Sequence, residues 1–244
     1  MNDRRQNNNA FGNSAFDNSA FGANNGRITI PFGDSAVLIK FGDCIAPEIN
    51  RRVHAMAKAI NQAAITGVIE ICPSYTELAV YFDPLVVGYD ELISILEDLD
   101  TSDLELDQSG RGGRGSVITI PVSYGGTDGP DLEEVARLTG MSAQEVINIH
   151  TQRVYEVYMI GFLPGFPYLG LVPPAIAVPR LPQPRLKVPR GSVGLAGRQT
   201  GIYPCEAPGG WRLIGRTEVS MFDPQRVQPC YLQPGDRVRF EPVR

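Results

Sequence analysis

The chain has 244 residues, 43% of them hydrophobic, and a formal net charge of -5. That length exceeds the common size of one domain and predicts two, each able to bury its own core. The acidic balance argues against a nucleic-acid or anionic-membrane surface, and no apolar run approaches the roughly 18 to 20 residues of a membrane helix, so neither is an expected partner.

Arg4 and Arg5 have no apolar segment behind them, which does not fit a secretory signal, and residence in the cytoplasm is expected. Residues 1–25 are Asn-rich and repeat Ala10-Phe-Gly-Asn-Ser, Ala15-Phe-Asp-Asn-Ser and Ala20-Phe-Gly-Ala-Asn. So little apolar surface cannot offset its ordering entropy, and the segment is expected to be disordered, with Phe11, Phe16 and Phe21 as docking anchors in the alternative reading.

An α+β domain is expected over residues 26–100. The alternation of Ile28, Ile30 and Phe32 and the run Ala36–Phe41 read as two strands meeting at Gly33-Asp34. Pro47 suits the first turn of a helix whose Ile49, Val53, Met56 and Ile60 recur at helical spacing, and His54 beside that face reads as structural or solvated. Val68–Cys72 and Glu77–Phe82 are two further strands turned by Pro73-Ser-Tyr-Thr76. Asp90 is expected to cap a second helix carrying Leu92, Ile95, Leu96 and Leu99. Together these predict a small α/β sandwich of ferredoxin-like type.

Residues 101–115 are acidic and then glycine-rich. Gly110-Arg-Gly-Gly-Arg-Gly115 formally satisfies GxGxxG, but it precedes the strand Val117–Pro121 where a dinucleotide fingerprint follows a strand and opens a helix, so it reads as a linker. The second domain, 116–244, starts with that strand. Pro130 opens a helix over Asp131–Leu138 that Gly140 ends, and Ser142 with Glu145 forms a capping box for the next helix, up to about His150. From Val154 to Val243 short strands alternate with Gly/Pro turns, the pattern of a closed barrel or sandwich. Cys44, Cys72, Cys205 and Cys230 lie far apart with no CxxC pair, and only His54 and His150 accompany them. Buried free thiols and no metal site are expected.

The chemistry concentrates in the barrel loops. Arg185, Arg190 and Arg198 fall within fourteen residues that also contain Ser192, Gln199 and Thr200. Guanidinium groups bind carboxylate or phosphate through paired hydrogen bonds, while an amide and a hydroxyl read a lactam or urea-like group, so the inventory suits a small anionic amide. Prolines at 182, 184 and 189 stiffen the first loop and Gly197 and Gly201 permit bends around Gln199, which predicts that Arg185, Gln199, Thr200 and Tyr203 line one pocket. Arg198 reads as a solvated loop charge. The catalytic candidates are His150, Arg185, Gln199 and Thr200; Arg190, Ser192, Tyr203 and Phe166 are candidates for substrate binding. His150 is either a general base facing the pocket or a dipole-stabilised helix C-terminal cap. Phe162, Phe166 and Tyr168 form a wall or pack the core, and Trp211 is an interface anchor or a barrel plug. Ser192 has no GxSxG elbow and the chain has no P-loop, so if ATP is used its phosphate machinery is expected on another chain.

Three runs carry a family resemblance: Gly161-Phe-Leu-Pro-Gly-Phe-Pro-Tyr-Leu-Gly170, the stretch from Pro179 through Arg185, Arg190 and Gln199 to Pro204, and Pro208-Gly-Gly-Trp-Arg-Leu-Ile-Gly-Arg-Thr217. They resemble the B subunit of the bacterial ATP-dependent 5-oxoprolinase, a family that also carries the names allophanate hydrolase subunit 1 and sporulation kinase A inhibitor. The likeness spans residues 26–244. It implies a cyclophilin-like β-barrel for the second domain. It also implies one component, inactive alone, of an enzyme that opens 5-oxo-L-proline to L-glutamate with ATP hydrolysis, working with the C subunit and with the A subunit of that enzyme. The family's other names leave two alternatives: a regulatory inhibitor of a sensor histidine kinase, and part of a urea or allophanate amide hydrolase.

Overall fold

The computed structural model describes residues 23–24, 26–99, 101 and 117–243. The disorder expected over 1–25 lies outside the described residues except at 23–24, where a short strand stands instead, and the linker expected over 101–115 lies outside them except at residue 101.

The N-terminal unit runs β1 (Ala23–Asn24), β2 (Arg27–Pro31), β3 (Ala36–Lys40), α1 (Pro47–Ala63), β4 (Val68–Pro73), β5 (Glu77–Phe82) and α2 (Tyr89–Asp98). Its strands pair antiparallel in the order β1-β2-β3-β5-β4. Strand alternation sends Val37, Ile39, Leu78, Val80 and Phe82 to one face, where they meet Val53, Met56 and Ile60 of α1 and Leu92 and Leu96 of α2. Pro47 occupies the first turn of α1, where its missing N–H costs nothing. Two expectations are corrected. The N-cap of α2 is Gly88, with Asp90 in the first turn and no side-chain cap; its carboxylate there acts on the helix dipole. The connectivity is also not the strand-helix-strand-strand-helix-strand of a ferredoxin-like unit: β3 lies between β5 and β2, and β2 precedes the first helix where a ferredoxin-like unit has a strand that follows the second. Buried Arg27 on β2 donates from Nη2 to Leu96 O at 2.7 Å and Glu97 O at 3.4 Å, satisfying carbonyls at the end of α2.

The second unit runs β6 (Ile118–Tyr124), α3 (Leu132–Thr139), α4 (Ala143–Gln152), β7 (Val154–Ile160), β8 (Pro167–Gly170), a 3-10 turn (Pro174–Ile176), β9 (Arg185–Val188), β10 (Ser192–Ala196), β11 (Gln199–Ile202), β12 (Ala207–Gly209), β13 (Arg212–Arg216) and β14 (Arg237–Val243). Seven of these strands close a barrel in the order β10-β11-β8-β7-β14-β6-β13, sealed by β13 pairing with β10. Every neighbouring pair is antiparallel except β14 with β6. Inside, Val193, Leu195, Ile202, Ile214, Ile120, Val157 and Phe240 share one core with Val135 of α3 and Val146 of α4. The Ser142–Glu145 capping box opens α4, and Gly140, at φ 70°, ends α3.

The same strands carry a second, smaller core on their other face. Ala196, Tyr203 and Leu213 alternate with the interior residues Leu195, Ile202 and Ile214, and pack with Phe166, Val188 and Trp211 beneath a two-stranded sheet of β9 and β12. Trp211 is therefore buried, but outside the barrel wall and not as a plug. The cysteines are free yet not buried: Cys44 and Cys205 are exposed in loops, and Cys72 and Cys230 are half-buried.

Helix α1 and the β4–β5 turn contact the barrel. His54 Nε2 lies 2.7 Å from Tyr158 O, and burial pulls its pKa below the usual histidine value, so a neutral ring bridges the units and the structural reading of His54 holds. The Tyr75 ring packs edge-on against Tyr158 and Tyr168, with centroids 5.9 and 5.7 Å apart. Among the described residues no helix is long and apolar enough to cross a membrane.

Candidate functional site

Strand β11 divides the predicted site between two faces. Successive side chains on a strand point to opposite sides, so Thr200 and Ile202 face the barrel interior while Gln199, Gly201 and Tyr203 face the outer cluster. The expectation that Arg185, Gln199, Thr200 and Tyr203 jointly line one pocket is corrected at Thr200 by this alternation.

Inside the barrel, Thr200 and His150 are both fully buried and bonded, with His150 Nε2 3.0 Å from Thr200 Oγ1. His150 Nδ1 lies 2.8 Å from the Tyr124 hydroxyl, and its ring stacks on Phe240 at 4.5 Å with a 23° tilt. The Tyr155 hydroxyl donates to His150 O at 2.9 Å. Burial pulls the His150 pKa down to about 3 and raises that of Tyr124 well above the usual phenol value. A neutral imidazole with one N–H and one lone pair is matched by two hydroxyls, each able to donate or accept, so the network is satisfied in either tautomer. His150 does sit in the last turn of α4, but a neutral ring stacked in the core is neither a charged cap on the helix dipole nor a base facing a cleft.

Outside, aromatic rings lie almost on the strand backbone. A Cβ on Gly201 would stand 2.8 Å from Pro167 O and 2.9 Å from the Phe166 ring, so glycine is what lets Phe166 seat on β11. Phe166 packs edge-on to Tyr203 at 5.2 Å, Trp211 at 5.4 Å and Phe162 at 5.6 Å, and lies tilted against Tyr168 at 4.8 Å. Of the predicted wall, Phe166 is buried core and Phe162 is exposed at the β7–β8 loop, where its φ of 65° is unusual for an aromatic residue. Gln199 is half-buried at the edge of this cluster.

The arginines divide similarly. Arg185 Nη2 meets Asp131 Oδ1 at 2.6 Å, and Asp131 Oδ2 accepts from Leu213 N at 2.7 Å, so a carboxylate just before α3 locks β9 to β13. Arg190 is exposed; its carbonyl accepts from Arg216 Nε at 3.0 Å. Ser192 is buried and its carbonyl accepts from Tyr203 N at 2.9 Å. Arg198 is exposed, with Nε 3.5 Å from Val172 O. Two residues beside Gln199 and Tyr203 were missed in the sequence. Arg180 acts electrostatically on the hydroxyls of Tyr75, Tyr168 and Tyr203, and Tyr75 arrives from the N-terminal unit. Arg180 stands in the same proline-rich run as Arg185, which was a usable signal; nothing local marks Tyr75.

The first turns of α1, α2, α3 and α4 carry Glu48, Asp90 and Glu91, Glu133 and Glu134, and Glu145. Acidic side chains there oppose a polyphosphate, so none of these helix starts fits the phosphates of ATP. Among the described residues no cluster of His, Cys, Asp or Glu could hold a metal ion.

The geometry first defines a class: a two-unit protein whose α+β unit docks against a closed barrel that carries an aromatic cluster on its outer wall. The chain belongs to the family described as carboxyltransferase domain, subdomain C and D, whose model matches residues 28–232. It is 45% identical to the B subunit of 5-oxoprolinase from Bacillus subtilis (strain 168), over 85% of this chain and 89% of that protein. It is 39% identical to the B subunit of 5-oxoprolinase from Escherichia coli O157:H7, over 87% and 94% respectively. The crystal structure of TTHA0988 superposes with a TM-score of 0.75 at 41% identity, covering 86% of this chain; the chain spans 40% of the length of that protein.

Proposed function

We propose that the chain is the B subunit of an ATP-dependent 5-oxoprolinase, converting 5-oxo-L-proline to L-glutamate in the cytoplasm together with the A and C subunits of that enzyme. The observation that carries this reading is the identity to the Bacillus subtilis B subunit, which extends over nearly the whole of that protein. In this chemistry the lactam oxygen is activated by phosphorylation so that water opens the ring. The chain contributes a site for the lactam acid on the outer wall of a cyclophilin-like barrel, while its partners hold most of the ATP. Acidic first turns on its described helices accord with that division.

Co-expression of this chain with candidate A and C subunits, followed by an assay of ATP-dependent glutamate release from 5-oxoproline, tests the reading. The complex turns over and the chain alone does not. Glutamate release by the highly purified single chain overturns the division of labour, and a stable but inactive complex overturns the reading. One second reading, a component of an enzyme that acts on urea or allophanate, is supported by 24% identity to the urea amidolyase of Saccharomyces cerevisiae over 86% of this chain and 13% of that protein; adding those substrates to the same assay separates the two.

A further inference from the structure

Among the described residues three buried side-chain polar atoms make no hydrogen bond: the Tyr75 hydroxyl, Arg185 Nη1 and Arg212 Nη1. The last lies 2.7 Å from Glu134 Oε2 in an ion pair, so its charge is answered there without a well-aligned hydrogen bond. Arg185 ends the segment 179–185, and the charge of Arg180 within it acts on the Tyr75 hydroxyl. Pro179 O accepts from Arg212 Nε at 2.9 Å and Leu181 N donates to Gly210 O at 2.8 Å, which holds this segment alongside the outer aromatic cluster. Between those two anchors Arg180 is exposed, and its guanidinium acts on the hydroxyls of Tyr75, Tyr168 and Tyr203; Arg185 acts on Tyr203 as well.

Tyr75 is held by more than its ring contacts. Asn50 of α1, 1% exposed, donates from Nδ2 to Ser74 O at 3.0 Å and to Tyr75 O at 3.1 Å, which fixes the turn against the helix. The hydroxyl so placed lies beside the Gln199 side chain without forming a well-aligned bond to it. A buried hydroxyl with no partner is a standing cost in the folded protein, and a ligand that supplies an acceptor removes it. Burial raises the Tyr75 pKa, so this hydroxyl keeps its proton and donates.

The atoms converging here share one chemistry. A phenol O–H and guanidinium N–H groups donate, and the Gln199 amide both donates and accepts. The rings of Tyr168 and Tyr158 beside them are flat and largely apolar. Acceptors therefore match, a carboxylate best of all because the exposed Arg180 is charged and Arg185, whose charge Asp131 answers through Nη2, still offers the N–H groups of Nη1. We propose that Tyr75, Arg180 and Gln199, with Arg185 at the far side, form one binding site for a small organic carboxylate that also carries an amide carbonyl, a site assembled from both units of the fold. Naming 5-oxoproline as its occupant rests on the function proposed above; the carboxylate site itself does not.

Trp211, the single tryptophan of the chain, reports on this site, because its ring is 5.8 Å from Tyr168 and 5.4 Å from Phe166. The full-length chain is titrated with 5-oxoproline, L-glutamate, acetate and urea while Trp211 emission is followed. A saturable response to 5-oxoproline and none to urea is expected, with affinity about tenfold weaker in Tyr75→Phe and in Arg180→Ala, as loss of a charge-assisted or buried hydrogen bond implies, and unchanged in Arg137→Ala on the exposed side of α3. In the reconstituted complex the same two variants raise KM for 5-oxoproline while size-exclusion chromatography shows intact assembly. Turnover with KM unaltered in both variants overturns the site and leaves the function standing. A stable complex without turnover, beside a Tyr75-dependent carboxylate response, removes the function and leaves the site. No saturable response to any carboxylate in either preparation overturns the site.

Discussion

The inner and outer faces of β11 handle polar groups in opposite ways. Inside, Thr200, His150 and Tyr124 form a closed chain of hydrogen bonds, sealed by Phe240, in which each polar atom has a partner. Outside, a rigidly held hydroxyl and a guanidinium nitrogen are buried without one, beside the exposed Arg180. The first arrangement is complete by itself and gives stability and uniqueness of packing; the second is completed by a molecule that brings acceptors. A buried histidine next to a threonine resembles catalytic machinery in a sequence. The structure shows why residue type alone misleads: what separates the two faces is which groups already have partners.

The largest effect tests the inner face. His150→Ala removes a stacked ring and leaves two hydroxyls unmatched, so it should lower the unfolding free energy by about 3 to 5 kcal/mol in urea titrations. The proton makes the same point more gently. The unfolded state binds it near 6.5 and the folded state only near 3, so the unfolded chain holds more protons between those values. Stability is then fullest above about pH 6.5 and falls as the pH drops below it, by up to about 1.4 kcal/mol per pH unit for this group, with His54 adding in the same direction. His150→Gln should shrink the loss between pH 7 and 4.5; an unchanged acid slope would show that the ring is not held neutral.

A smaller effect is expected at the wall itself. Gly201→Ala forces a methyl against Pro167 O and the Phe166 ring, and should cost about 1 to 3 kcal/mol while weakening carboxylate binding next door. The smallest effect is the sharpest discriminator. Tyr75→Phe keeps the ring contacts and deletes a hydroxyl without a partner, so stability should stay level or rise by up to about 1 kcal/mol even as ligand affinity falls. If thermal melts show clear destabilisation, the hydroxyl is bonded in the free chain and the contrast between the faces collapses.

Features governed by neighbours in the chain were legible in the sequence. Pro47 in the first turn of α1, the Ser142–Glu145 box and Gly140 beyond α3 all follow from chemistry within a few residues. The strands from Val154 onward were legible as strands, and Phe166 packs on Tyr203, although the partners of Arg185 and Gln199 could not be read. Asp131 meets Arg185 across 54 positions and Tyr75 reaches Gln199 from another unit, distances at which no spacing rule operates. The split at Thr200 was readable in principle, since strand alternation alone separates it from Gln199. Its true partner, His150, is 50 residues away on a helix. The cap of α2 fell on Gly88 rather than Asp90 because a helix can start on an extended glycine without any side-chain acceptor.

The parallel pairing of β14 with β6 has a consequence in time. Ile118 lies beside Val238, 120 residues farther along, and β14 also separates β6 from β7. At synthesis rates of about 5 to 20 residues per second, β6 and β7 stand on a growing chain for several seconds or more, each with an edge awaiting β14. Closing so long a loop is entropically slow, and unpaired edges are where chains stick to one another. Phe240, the ring that covers His150, arrives on the same strand. The stacked face of the imidazole is therefore covered only by the last strand of the barrel in chain order.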